Sequence, residues 1–191
     1  MVKYKQRIAD KILERKVLGK GAVLIEGPKW CGKTTTAKQL AKSFLDLGDS
    51  TILKQSENLI EISPQTLLKG DTPRLIDEWQ ALPSIWDTIR SEVDHRREPS
   101  QFILTGSSVL PEANETIHSG TGRFATIKMR PMSLYESRES TGTVSLKTLF
   151  EGKSLEVQQN DLNIDDIAYL ICRGGWPWAT LISKDIALDQ A

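Results

Sequence analysis

The chain has 191 residues, enough for one domain with a small appendage and enough to bury a core without disulfide or metal staples. Hydrophobic residues make up 39% and charged residues 26%, a balance that excludes full disorder. Lys plus Arg total 25 and Asp plus Glu total 25, and this zero formal charge argues against a dedicated nucleic-acid arm or a polybasic membrane surface. No apolar run approaches the roughly 18 residues of a membrane-spanning helix. The opening MVKYKQRIAD has no apolar stretch of signal-peptide type. Two cysteines, Cys31 and Cys172, make neither a disulfide framework nor a zinc spacing. The expectation is a soluble cytoplasmic chain with reduced thiols.

In chain order, Ile8, Ile12 and Leu13 share a face and predict a helix between Tyr4 and Val17. Residues 22–25 form a continuous apolar run that fits a strand buried on both faces, stopped by Gly27-Pro28. Ala37, Leu40, Ala41, Phe44 and Leu45 recur at helical spacing and predict one helix from Thr34, ending near Gly48. Residues 51–53 predict a second strand. A turn at residues 70–73 leads into a third at Arg74–Asp77. Pro83 and Ser84 open a helix that carries Ile85, Trp86, Ile89 and Val93 on one face. Residues 101–105 and 126–129 predict the fourth and fifth strands. Strands alternating with helices predict an α/β fold with a parallel sheet.

Past Ser137 the pattern weakens. Residues 139–143 read as a loop, 144–150 and 164–172 as helices, and Gly174-Gly175-Trp176-Pro177 as a tight turn. The expected organisation is a core in residues 1–140 and the start of a helical C-terminal region in 141–191, read as part of a longer protein.

Gly27-Pro28-Lys29-Trp30-Cys31-Gly32-Lys33-Thr34 fits the phosphate-loop pattern G-x-x-x-x-G-K-[ST] at every fixed position. Its glycines let backbone N–H groups turn inward around phosphates, and the following helix aims its positive end at the same anion. Lys33 is placed to reach the β- and γ-phosphates, and the Thr34 hydroxyl to occupy a position on Mg²⁺. Thr35 follows as part of the same nucleotide-binding stretch. Trp30 and Cys31 occupy variable positions and read as loop packing. The alternative for Cys31 is a reactive thiol, because a helix N-terminus lowers a thiol pKa.

Asp77-Glu78 ends the third strand in the form of a Walker B segment. Asp77 can hold Mg²⁺ there, and Glu78 can orient or polarise the attacking water. Gln80 reads as a surface residue. The fourth strand ends in hydroxyls, and Thr105 or Ser107 can sense the γ-phosphate there or simply cap the strand. Arg123 follows a glycine-rich stretch. A planar cation near a transferring phosphoryl group stabilises its charge, from the same subunit or from a neighbour. Ser133 with Glu136 makes a capping box, and His95 and His118 are ordinary polar residues.

Taken together, the phosphate loop, Ile76-Asp77-Glu78-Trp79-Gln80, Val93-Asp94, Leu104-Thr105-Gly106-Ser107-Ser108, Gly122-Arg123, Arg130-Pro131-Met132-Ser133-Leu134-Tyr135-Glu136 and Gly174-Gly175-Trp176-Pro177 resemble a large prokaryotic family. It is the AAA-type group of archaeal and bacterial P-loop ATP-binding proteins, whose members usually carry a C-terminal domain similar to restriction-nuclease folds. The resemblance implies an AAA+-like three-layer core with about five parallel strands. It carries over Lys33, Thr34, Asp77 and Glu78 as Walker residues, Thr105 at the polar sensor position, and Arg123 as finger or sensor. ATP and Mg²⁺ are the implied ligands, hydrolysis coupled to a conformational switch is the implied activity, and a homo-oligomer or protein partner is expected, with no membrane and no direct nucleic acid. Two alternatives stand beside it. One is an ATP-binding switch without turnover of its own. The other is a small-molecule kinase, for which Arg96-Arg97 and the Arg123 region are lid candidates. Glu78 beside Asp77 favours water as the acceptor.

Overall fold

A computed structural model describes residues 4–107, 121–153 and 161–189. Ser108, Gly120 and His118 lie outside the described residues. The chain divides into two compact units, one of Arg7–Arg130 and one of Met1–Gln6 with Pro131–Ala191.

The larger unit opens with α1 (Ile8–Gly19) and β1 (Ala22–Glu26). It continues through α2 (Lys33–Lys38), β2 (Ser43–Asp46), α3 (Ser50–Ile62), α4 (Pro64–Leu67) and β3 (Arg74–Asp77). A 3-10 turn at Trp79–Ala81, α5 (Ile85–Arg96), β4 (Phe102–Gly106) and β5 (Phe124–Lys128) complete it. The five strands pair in the order β2-β3-β4-β1-β5, and every pairing is parallel. β4 is buried throughout and β1 is buried from Ala22 to Ile25, as their continuous apolar runs require. The edge strand β5 alternates instead, with Thr126 and Lys128 facing out and Ile127 in.

One stretch departs from its periodicity. The spacing from Ala37 to Leu45 predicts a single helix, yet α2 ends after six residues and Ser43–Asp46 becomes the second strand. The reason is tertiary. The Lys42 N–H donates to the Pro73 carbonyl at 2.9 Å, which draws the chain into register with β3. Residues 51–53, predicted as strand for their Thr-Ile-Leu run, begin α3. The Asp49 carboxylate accepts from the Thr51 and Ile52 N–H groups at 2.8 and 3.0 Å and starts that helix.

The core on one face of the sheet includes Leu24, Ile76, Leu104, Trp79, Trp86 and Phe102. Trp86 stacks on Phe124 with centroids 4.2 Å apart and meets Trp79 at 5.0 Å.

In the smaller unit are α6 (Leu134–Ser137), α7 (Leu146–Phe150), α8 (Ile164–Arg173) and α9 (Lys184–Leu188). The capping box expected at Ser133 and Glu136 is present. No helix among the described residues is long and apolar enough to cross a membrane.

Candidate functional site

Parallel pairing puts the C-terminal ends of all five strands along one edge, where ligand crevices of such sheets form. β1 leads there into the phosphate loop. Gly32 closes that loop with φ +101°, a backbone region that suits glycine, and α2 starts on the next residue. Lys33 is 5% exposed. Its ammonium donates to the Gly27 and Pro28 carbonyls, each at 2.9 Å, so the loop wraps around its own cation.

Pro28, Lys29 and Trp30 are exposed. Loop packing is the sequence reading for Trp30, but the residue is 81% exposed at a φ of +66°, with the Lys29 ammonium 5.8 Å from the ring centroid. Cys31 is buried, and its Sγ lies 3.9 Å from the Met129 carbonyl. Burial pushes the thiol pKa up against the lowering pull of Lys33 and Arg7, so the site favours packing over reactivity. Thr35 is exposed, and its carbonyl accepts from the Gln39 amide at 3.0 Å.

Three predicted residues meet at one carboxylate oxygen. Asp77 is buried at the end of β3, and its Oδ1 accepts from the Thr34 hydroxyl at 2.9 Å. The same oxygen accepts from the fully buried Thr105 hydroxyl at the end of β4. Register makes the meeting inevitable, because Asp77 pairs with Thr105 and Thr105 pairs with Ile25, two residues before the loop. A hydroxyl and a carboxylate side by side are hard oxygen donors, and Mg²⁺ prefers one or two such protein ligands together with phosphate oxygens. Thr34 and Asp77 therefore fit Mg²⁺ in chemistry.

Glu78 follows in the left-handed region, with φ +51°. The Gln80 side-chain amide donates to its Oε2. Gln80 is thus turned onto the acid and is half-buried, whereas the sequence places it on the surface. Its own Oε1 and the Trp79 Nε1 are buried and have no hydrogen-bond partner among the described residues. Ser107 is exposed.

Arg123 stands elsewhere. It precedes Phe124, which pairs with Ala22 at the start of β1, while the phosphate loop follows the end of β1. Five strand residues at a rise of about 3.3 Å separate the two ends by about 16 Å. The Arg123 guanidinium pairs with Asp94 at 2.5 Å and borders a cleft of about 350 Å³ with Lys20, Val93 and Arg97. This hydrogen bond holds the Asp94 carboxyl below its ordinary range.

Two residues near the loop escaped the sequence reading. Asp46 ends β2 in register with Asp77, inside a stretch whose spacing looks helical. Arg7 is 6% exposed, and its guanidinium donates to the Cys31 carbonyl in the loop and to the Arg130 carbonyl, both at 2.8 Å. No motif marks it.

The family model described as AAA domain matches residues 19–137. The chain belongs to that family. A solved structure of AMPPCP-bound DnaA from Aquifex aeolicus aligns with a TM-score of 0.56 at 14% identity. A structure of PCH-2 from C. elegans aligns with a TM-score of 0.40 at 20% identity. This chain is covered over 100% and 93% in the two alignments, and spans 62% and 51% of those chains. The likeness to DnaA is one of fold: an α/β core with a five-stranded, all-parallel sheet. No curated protein matches the sequence.

Proposed function

We propose that this chain binds ATP with Mg²⁺ and hydrolyses it to ADP and phosphate, using the cycle to switch conformation. The observation that carries the reading is the convergence of Thr34 and Thr105 on Asp77 beside the phosphate loop. Loop N–H groups bind the phosphates, and Lys33 exchanges its two loop carbonyls for phosphate oxygens. Thr34 and Asp77 are the residues that would hold Mg²⁺, which when bound neutralises phosphate charge. Thr105 keeps the Asp77 carboxylate oriented. Glu78 holds the attacking water and accepts its proton. Positioning and electrostatics supply most of the rate.

Arg123, remote from the loop of its own chain, serves a nucleotide held by a second copy in this reading. Half-exposure and its place at the opposite strand ends support that. Mixing Lys33→Ala with Arg123→Ala protein tests it: each variant alone is inactive, and the mixture regains phosphate release.

The second reading, binding without turnover, is favoured by the Gln80 amide that restrains Glu78. Calorimetric titration of ATP with Mg²⁺, together with steady-state phosphate release for wild type and Glu78→Gln, separates the two. Hydrolysis predicts that both bind and only wild type turns over. If both bind ATP and both are inert, turnover fails for this chain, and if neither binds, the nucleotide reading fails.

A further inference from the structure

We propose that Arg7 is the relay through which the phosphate loop acts on the smaller unit, with the Gly174-Gly175-Trp176-Pro177 turn as its receiver. The inference rests on the nucleotide reading above and names the path of its conformational switch. The chain passes between the two units at two peptide bonds, 6–7 and 130–131. One guanidinium sits at both. Arg7 is the first residue of the larger unit, and its Nη2 donates to the carbonyl of Arg130, the last. The other arm, Nη1, donates to Cys31 inside the phosphate loop. The Arg7 N–H is itself held by the Asp10 carboxylate at 2.8 Å, which fixes the arginine to the start of α1. A buried arginine in such a place is costly to desolvate, and a planar fork with several donors suits holding two carbonyls at once.

Both strands of chain are tied down just past the crossings. Two residues before Arg7, the Lys5 ammonium donates to the Thr180 carbonyl at 3.2 Å and to its hydroxyl at 3.4 Å. Two residues after Arg130, the Met132 N–H donates to the Gly175 carbonyl at 2.6 Å. Gly175 approaches the Met132 backbone so closely that a Cβ would collide with its carbonyl oxygen, which accounts for a glycine there. The Thr180 hydroxyl in turn donates to the Pro177 carbonyl at 2.8 Å. The motif that the phosphate chemistry leaves unexplained is therefore the anchor for both crossings. When phosphates draw the loop amides inward, the Cys31 carbonyl turns with them, and Arg7 passes the displacement to both crossings together. Coupling of this kind needs a contiguous network with two arrangements; these hydrogen bonds and the two chain crossings supply the network, and hydrogen–deuterium exchange reads whether ATP moves it to a second arrangement.

Hydrogen–deuterium exchange on the full chain tests the relay, with and without saturating ATP and Mg²⁺. In wild type, ATP protects residues 27–34 and changes exchange in 131–137 and 174–181. Arg7→Lys and Arg7→Gln bind ATP roughly tenfold more weakly. At saturation they keep the protection of 27–34 and lose the change in 131–137 and 174–181. Lys5→Ala, a replacement outside the larger unit, leaves ATP affinity unchanged and reduces the change in 174–181. It decides the matter where the Arg7 variants do not fold. The relay is overturned if wild type protects 27–34 with no change beyond residue 130, or if the variants transmit as wild type does. Absence of protection at 27–34 in wild type overturns the nucleotide reading itself, and the relay with it.

Discussion

Trp79 and Ile171 are large apolar side chains in different units, and they are 1% and 76% exposed. The contrast runs through both. In the larger unit Leu24, Ile76, Trp79, Trp86 and Phe102 pack into one cluster against the sheet. In the smaller unit α8 leaves Ile164, Ile167 and Ile171 exposed, and Phe150 and Trp178 are exposed as well. Local devices hold its helices instead: Asn163 caps α8 through the Asp166 N–H at 2.9 Å, Lys184 pairs with Asp166 at 2.7 Å, and Arg173 pairs with Glu139 at 2.6 Å. A sheet buries apolar area from two layers at once, whereas the short helices described in the smaller unit leave much of theirs exposed. The difference teaches that the phosphate loop and its neighbouring acid stand on a continuous packed core, while the helices of the smaller unit rest more on caps and ion pairs.

Substitutions can break or sharpen that contrast. The largest effect is expected from Glu78→Gln, which should lower phosphate release by about 10³-fold while ATP binding persists. Next, Leu24→Ala in the buried strand should cost about 3 kcal/mol in urea unfolding. Glu139→Gln should cost about 2 kcal/mol, because it strands the buried Arg173. Its pH dependence has a definite sign. Burial pushes the Glu139 carboxyl up, but hydrogen bonds from Arg173 and Ser137 outweigh burial and leave its pKa lowered. A carboxyl lowered in the folded state contributes stability above its unfolded pKa and loses it as pH falls through the folded value. The stability gap between wild type and Glu139→Gln should therefore shrink on acidification below the ordinary glutamate range. Smallest of all, Ile171→Ala should stay within about 0.5 kcal/mol of wild type. A loss equal to that of Leu24→Ala would mean that α8 is covered in solution and would erase the contrast.

Legibility followed the range of the forces involved. Strands β1, β3 and β4 lie where residues 22–25, 74–77 and 101–105 predict them, because each has an apolar run bounded by Gly, Pro or charge, whereas β5 starts at Phe124, two residues before the predicted 126–129, since its apolar signal is weak. β2 was hidden, since Phe44 and Leu45 continue a helical spacing until a hydrogen bond from Lys42 to the Pro73 carbonyl overrides it. Within the site, Lys33, Thr34 and Asp77 belong to linear patterns, and their neighbourhood follows from parallel pairing. The turn of Gln80 onto Glu78 depends on a left-handed backbone at Glu78 that no residue type announces. Arg7 reaches Cys31 across 24 positions and Arg130 across 123, so no local pattern could have marked it.

The self-held ammonium of Lys33 has a consequence for selectivity. Two of the three ammonium N–H groups are taken by loop carbonyls, which leaves one donor for a single incoming anion unless the loop contacts are exchanged. A lone inorganic phosphate offers few oxygens with which to compensate, whereas a di- or triphosphate spreads its oxygens over many amides at once. If the loop binds phosphate as proposed, it should therefore act as a length gauge that favours polyphosphate tails over single phosphate groups.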